Sequence, residues 1–439
     1  MKLKELAGCI LFLASAVVLT SSVSARAGEG KDDCKESEHH EHNGKTPVGL
    51  VGVIPVPGNP IISADIAWVD PGTERYYFAD RSNFGVDIID AESNVWVGRV
   101  TGMAGPNPSG GGTANTNGPG PNGVLVTPNR KLWAGDGNST VRVADVDPDS
   151  SHYLSIIGSI STAIPACDTG ATHYCGRADE LGYDPKDRII LVANNAPLSP
   201  AAPVPPATAH APVDPYATFI SAVPPYPVLG HIVFAGAGGL EQPLWDPEIH
   251  RFFLTVPGNA TTGKLPSVAV INATSMMVEK SYTLDCQALT GIPGFGTTGI
   301  ALGAFQHLLV SACGSPIILN ALNGHVINVI KQVGGGDEVW YNSGDGRFYV
   351  TGADKTQAAM PQSLGVIDAE TSNWLQNVKA LRAKNPAAFA ETNNIYTIVQ
   401  INAAIVAAPA TDDSVCKDFG FRGTGCIAVF THSDRDDDR

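Results

Sequence analysis

An all-β fold follows from this chain of 439 residues: a single β-propeller of seven four-stranded blades, with six or eight also compatible with the spacing. Three observations predict it. A short segment recurs along the chain, each copy is followed by the same succession of short apolar strands, and each end carries a strand without a partner of its own. The segment is clearest at residues 64–71 (ADIAWVDP), 178–185 (ADELGYDP) and 240–247 (LEQPLWDP). Further copies lie at 121–128 (PNGVLVTP) and 336–342 (GDEVWYN), and weaker ones begin near Thr298 and Asn385. Self-similarity at intervals of about 40 to 60 residues marks a repeat architecture.

Each copy ends in a turn, and an apolar strand comes next, as at 75–80 (RYYFAD), 188–193 (RIILVA) and 251–256 (RFFLTV). After the weaker copies the same strand is 307–312 (HLLVSA) and 394–399 (NIYTIV). Third strands follow at 85–90 (GVDIID), 267–272 (SVAVIN) and 364–368 (LGVID), and fourth strands at 95–100 (VWVGRV) and 326–330 (VINVI). β-Branched and aromatic runs bounded by Gly, Pro, Asn or Asp favour strands joined by tight bends. Four of them per repeat make one antiparallel sheet, the blade of a propeller. One residue per copy then occupies an equivalent ring position: Asp65, Asn122, Asp179, Glu241, Thr298, Asp337 and Asn385.

The last copy has a third strand at 426–430 (CIAVF) but no fourth, whereas 49–56 (GLVGVIPV) is a strand with no blade. Pairing the two removes both exposed edges. The ring is therefore expected to close by pairing N- and C-terminal strands. Residues 47–433 then form one domain, although length alone suggests two or three. Residues 197–227, rich in Pro and Ala, are expected to be a long excursion between strands of the third blade. Residues 106–120 read as a mobile loop over one face, and 28–46 and 434–439 as charged, disordered tails.

The first 27 residues read as a secretory signal: Lys2 and Lys4 precede an apolar run from Cys9 to Thr20, and small residues surround Ala25 and Ala27. The run is shorter than the roughly 20 residues that span a bilayer, so no integral membrane association is expected. The formal charge is -15, and cleavage would remove three basic residues and one acidic one, making it more negative. Such a chain repels nucleic acid and anionic membranes. An exported, periplasmic or extracellular monomer is expected, in a compartment that permits disulfides. The pairs suggested by spacing are Cys167–Cys175, Cys286–Cys313 and Cys416–Cys426, leaving Cys34 in the N-terminal tail.

The repeats resemble the YVTN family of exported β-propellers, in which a strand like 365–370 (GVIDAE) is followed by a turn like 371–373 (TSN) and a valine-rich strand. That resemblance covers about residues 47–432 and implies binding more than catalysis. The ring segments also resemble the gluconolactonase and senescence-marker propellers, whose divalent ion is held by Glu, Asn and Asp on inner strands. Residues 241–246 (EQPLWD) are similar to that group's Glu-Gly-Pro-x-Trp segment, 121–123 (PNG) to its Pro-Asn-Gly, and Asp179 takes its Asp place. The resemblance implies Glu241, Asn122 and Asp179 as metal ligands.

Each ring residue precedes an innermost strand at a similar offset, so Asp65, Asn122, Asp179, Glu241 and Asp337 are expected to converge at one mouth of a central channel. Four carboxylates so close cannot all stay ionised cheaply without a counter-charge. Ca²⁺ or another divalent cation, with oxygen ligands, would relieve the repulsion; water and backbone amides solvating the ring are the alternative. Glu180 and Glu338, beside ring positions, are expected to sit above the channel or to face solvent, with solvent the favoured reading. A second, weaker metal site is conceivable at His39, His40 and His42 in the tail. No nucleophile elbow, zinc-protease or phosphate-loop motif occurs. The leading expectation is a module binding a protein, glycan or small ligand through one face. The alternative is a divalent-metal-dependent lactonase or esterase-like hydrolase, in which Asp179 or Glu241 would activate water.

Overall fold

The computed structural model describes residues 46–105, 120–137, 139–165, 176–195 and 214–432. The expected leader (1–27), the expected tail with Cys34, His39, His40 and His42, the expected Cys167–Cys175 pairing, nearly all of residues 106–120 and residues 434–439 lie outside them. Seven four-stranded antiparallel sheets form, each a blade. Their innermost strands are Ala67–Asp70, Val124–Thr127, Arg177–Asp184, Pro243–Asp246, Thr297–Leu302, Val339–Asn342 and Ala383–Phe389, for blades 1 to 7. The first six blades are simple meanders. The seventh is composite: Ala383–Phe389, Asn394–Val399 and Cys426–His432 are completed by the N-terminal strand Val48–Ile54. The closing register runs from Val48 opposite His432 to Ile54 opposite Ile427.

The local chemistry of the repeat explains the recurring turns. The residue before the second strand is left-handed in every blade: Glu74, Arg130, Arg188, His250, Gln306, Gly346 and Asn393. In several blades a side-chain oxygen just before it holds the bend. Asp184 Oδ1 accepts from the Lys186 amide at 2.9 Å, and Asp246 Oδ1 from that of Glu248 at 2.8 Å. The next bend repeats the device, with Asp90 Oδ1 accepting from Ser93 and Asp368 Oδ1 from Thr371, each at 2.7 Å. Such Asx turns are why Asp and Asn recur at fixed offsets.

The apolar residues of these strands pack between blades. Seven clusters each span two neighbours and together close the circle; for example, Phe253, Val268 and Val270 of blade 4 meet Leu308, Val310 and Ile317 of blade 5. The cluster of Ile54, Ala67, Tyr76, Phe389 and Tyr396 joins blade 7 to blade 1. Two disulfides, Cys286–Cys313 and Cys416–Cys426, tie loops to this frame. Among the described residues no helix is long and apolar enough to cross a membrane.

One expectation about the third blade is corrected. Residues 197–227 are not a single excursion, because Tyr216–Ser221 is the third strand of that blade, paired with Ile189–Asn195 and Val228–Val233. Prolines on both sides hide the run in the sequence, but its apolar residues Tyr216, Phe219 and Ile220 are fully buried against neighbouring blades.

Candidate functional site at the propeller axis

At the start of the inner strands the ring residues are joined by basic and amide side chains. Asp65 is ion-paired with Arg81, which lies just beyond the second strand of blade 1. The same guanidinium reaches blade 2, donating from Nη2 to Asn122 Oδ1 at 2.6 Å and from Nε at 3.2 Å. Asn122 Nδ2 in turn donates to the Ala178 carbonyl of blade 3 at 2.7 Å. Arg177 clamps Asp179 Oδ2 from Nη2 at 2.7 Å and Nε at 3.0 Å. Asn195 Nδ2 bridges Asp179 Oδ2 at 2.8 Å and Glu241 Oε1 at 3.0 Å. Lys384 Nζ lies 3.8 Å from Asp65 Oδ1 and 3.7 Å from Asp337 Oδ2. Thr298 Oγ1 donates to the Gly336 carbonyl at 2.6 Å, and Asn385 Oδ1 accepts from the Glu338 amide at 3.2 Å.

The counter-charge the ring requires is thus carried by Arg81, Arg177 and Lys384. Arg177 was legible in principle, since a residue two positions before Asp179 lies on the same face of a strand. Arg81 and Lys384 belong to no recurring motif, and only the assembled ring brings them to the axis. Against the divalent-cation expectation, oxygens of Asp65, Asn122 and Asp179 already accept from guanidinium groups. Ca²⁺ takes six to eight oxygens, and among the described residues no group of three or more His, Cys, Asp or Glu is arranged to hold a metal ion. This donor set does not fit a divalent ion without breaking those pairs.

Burial opposes ionisation of Asp65, but Arg81, Lys384 and Arg177 outweigh it and hold its carboxyl below the usual carboxylate range. Elsewhere burial wins. It pushes Asp179 up despite Arg177. Glu241 is driven well up by enclosure in the ring and then by Asp179 and Asp337.

Glu180 and Glu338 do not face solvent, contrary to the sequence expectation; they are 2% and 0% exposed. Each directly follows a ring residue, Glu180 on its inner strand and Glu338 immediately before its own, and is turned towards the axis. Burial drives both carboxyls well above their ordinary range; for Glu180 the next cause is the charge of Glu241, and for Glu338 the opposing Ala67 amide. Glu338 Oε2 accepts from the Ala67 amide at 2.9 Å, linking blade 6 to blade 1 across blade 7. Among the described residues Glu338 Oε1 and Glu180 Oε2 find no hydrogen-bond partner. They line a cavity of about 170 Å³ on the axis, together with Trp68, Gln242, Leu244 and Trp340.

Beside Asp337 lie two more open grooves. One of about 400 Å³ runs between blades 6 and 7, with Gly336, Thr351, Met360, Gln362 and Lys384 in its walls. The other, about 310 Å³, is lined by Thr297, Thr298, Ser311 and Gly335 between blades 5 and 6.

No known family pattern matches the chain, and no curated protein matches it. Among solved structures, 1307 chains are similar. One, from the crystal structure of a mitotic checkpoint complex, aligns with a TM-score of 0.53 at 12% identity, over 88% of this chain and 96% of that one. At that identity the likeness shows the fold alone: this chain is a seven-bladed β-propeller.

Proposed function

We propose that the chain is an exported binding module whose partner, a protein, glycan or small ligand, docks on the ring face around blades 5 to 7. The observation that carries this reading is the contrast between a ring closed by its own charges and the two polar grooves beside Asp337. The groove walls are rich in glycine, with Gln362, Lys384 and Asp337 as polar side chains, so an extended peptide or a sugar can approach the backbone closely there. The resemblance to YVTN propellers points the same way, as does the presence of the similar solved chain in a complex. Export is supported by the basic start, apolar run and small residues of the leader, and by two disulfides of a kind that persists in oxidising compartments.

The test is capture from the native exported fraction with wild type and with Met360→Arg. Met360 is 56% exposed in the larger groove, so the substitution obstructs that groove and leaves the core alone. A partner held by wild type and lost by the variant is the expected result. Equal capture by both proteins would overturn the assignment of the face.

A second reading, a divalent-metal-dependent lactonase or esterase-like hydrolase, draws on one observation. Asp179 and Glu241 share the Asn195 amide, and burial pushes both carboxyls up, Glu241 the further, the setting in which one carboxyl of a pair can serve as the acid. A metal-dependent form requires Arg81 or Arg177 to release its carboxylate. Stoichiometric calcium in the purified protein, with lactone turnover abolished by Glu241→Gln, would replace the binding reading with this one.

A further inference from the structure

Three buried polar atoms that find no partner among the described residues belong to side chains lining the axial cavity: Glu180 Oε2, Glu338 Oε1 and the indole Nε1 of Trp68. A buried polar atom left unsatisfied costs about 1–3 kcal/mol, more when charged, so three in one chamber indicate something that binds there. The chamber also lies beneath an excess of acid. Six carboxyls (Asp65, Asp179, Glu180, Glu241, Asp337 and Glu338) face three cations (Arg81, Arg177 and Lys384) around the axis. Its other walls are aromatic and aliphatic, with Trp68 and Trp340 in edge contact at 5.5 Å between ring centroids, backed by Leu244 and Ile300. Trp68, Leu244, Trp340 and Tyr341 are only half-buried, so the chamber opens towards the far ends of the inner strands.

We propose that this cavity binds a small amino alcohol, its ammonium group donating to Glu180 and Glu338 and its hydroxyl oxygen accepting from Trp68 Nε1. Each part of the ligand follows from a wall. Two orphaned acceptors in an acidic surround call for a cationic donor. An ammonium with N–H groups satisfies them, whereas a quaternary ammonium has no hydrogen to give. The orphaned indole N–H calls for an oxygen, and the surplus of carboxyls disfavours a carboxylate as its source. The apolar walls take a short methylene chain and place a cation among aromatic rings, a favourable setting. A hard metal ion is poorly served, because only one oxygen each of Glu180 and Glu338 is orphaned and most of the wall is hydrocarbon. The volume is close to that of cavities known to hold a benzene-sized guest. This site is separate from the grooves beside Asp337, so it stands whether or not those bind a partner.

The experiment is calorimetric titration of the full chain with 4-amino-1-butanol, with 1-butanol and calcium chloride as comparators and indole fluorescence as a second readout. One saturable site per chain is expected, binding the amino alcohol at least tenfold more tightly than 1-butanol. The double variant Glu180→Gln, Glu338→Gln is expected to lose tenfold or more in affinity for the amine and little for 1-butanol. Trp68→Phe keeps the apolar wall, removes only the N–H, and is expected to weaken the amino alcohol while leaving n-butylammonium unchanged. This single variant keeps the test decisive should the double one fail to fold. No saturable binding, equal affinity for 1-butanol, or preference for calcium would each overturn the proposal, leaving a chamber that holds only water.

Discussion

Replacing Arg81 by Met tests whether the ring is held by its own cations. The substitution removes the guanidinium paired with Asp65 and hydrogen-bonded to Asn122, and keeps a side chain of similar length. Both members of the pair are largely out of solvent, with side chains 12% and 9% exposed. Breaking a buried pair from one side costs about 3–5 kcal/mol, because the remaining charge is left uncompensated. Lys384 Nζ, 3.8 Å from the other Asp65 oxygen, supplies some compensation, so a loss of about 3 kcal/mol at pH 7 is expected. Asp65 has a lowered folded pKa, so in wild type its contribution is present above the unfolded value and is lost as pH falls through the folded one. The deficit of Arg81→Met is accordingly largest near neutrality and shrinks towards pH 4, where the stranded carboxyl can take a proton. Urea denaturation at pH 7 and pH 4 measures both quantities. Adding Asp65→Asn to Arg81→Met should restore most of the loss at pH 7, since the amide carries no charge. A neutral Arg81→Met, or a double variant no better than the single, would refute the argument.

Other regions give independent checks. Glu338 has a raised folded pKa, so its favourable contribution is complete below the unfolded value and declines as pH rises through the folded one. Glu338→Gln keeps an acceptor for the Ala67 amide and should gain stability relative to wild type from pH 5 to pH 8, measured by paired denaturation curves. A Cβ at Gly123 would lie 2.4 Å from the Asp179 carbonyl oxygen and from Glu180 Cα, whereas nothing lies within 4 Å at Gly49. Gly123→Ala should therefore lower stability by about 1–3 kcal/mol while Gly49→Ala changes little, read by thermal unfolding. Opening the Cys286–Cys313 and Cys416–Cys426 loops by Cys→Ser pairs should cost about 3 kcal/mol each, slightly more for the longer loop, with separations of 27 against 10 residues; equal stability with and without reductant would contradict this.

The propeller was legible because its signals are local and repeated. The Asp or Asn at most bends, the strands around 75–80 or 251–256, and the unmatched strands at the two ends all follow from turn chemistry and side-chain alternation. Where a blade departs from that pattern, as at Tyr216–Ser221 between prolines, local reading failed and packing against neighbouring blades decided.

The axis shows the same division. The sequence by itself determined that seven equivalent positions exist and that most carry carboxyl or amide groups, because position within a repeat is a property of spacing. Only the tertiary structure decided what surrounds them. Arg81, Arg177 and Lys384 neutralise the ring, and Glu180 and Glu338 turn inward, since the environment of a charge is set by groups from other blades, up to 320 residues away in the chain for Lys384 and the Ala64 carbonyl. Spacing along a chain places a side chain within its own sheet, whereas its solvation and electrostatic partners come into being only when the circle of blades closes.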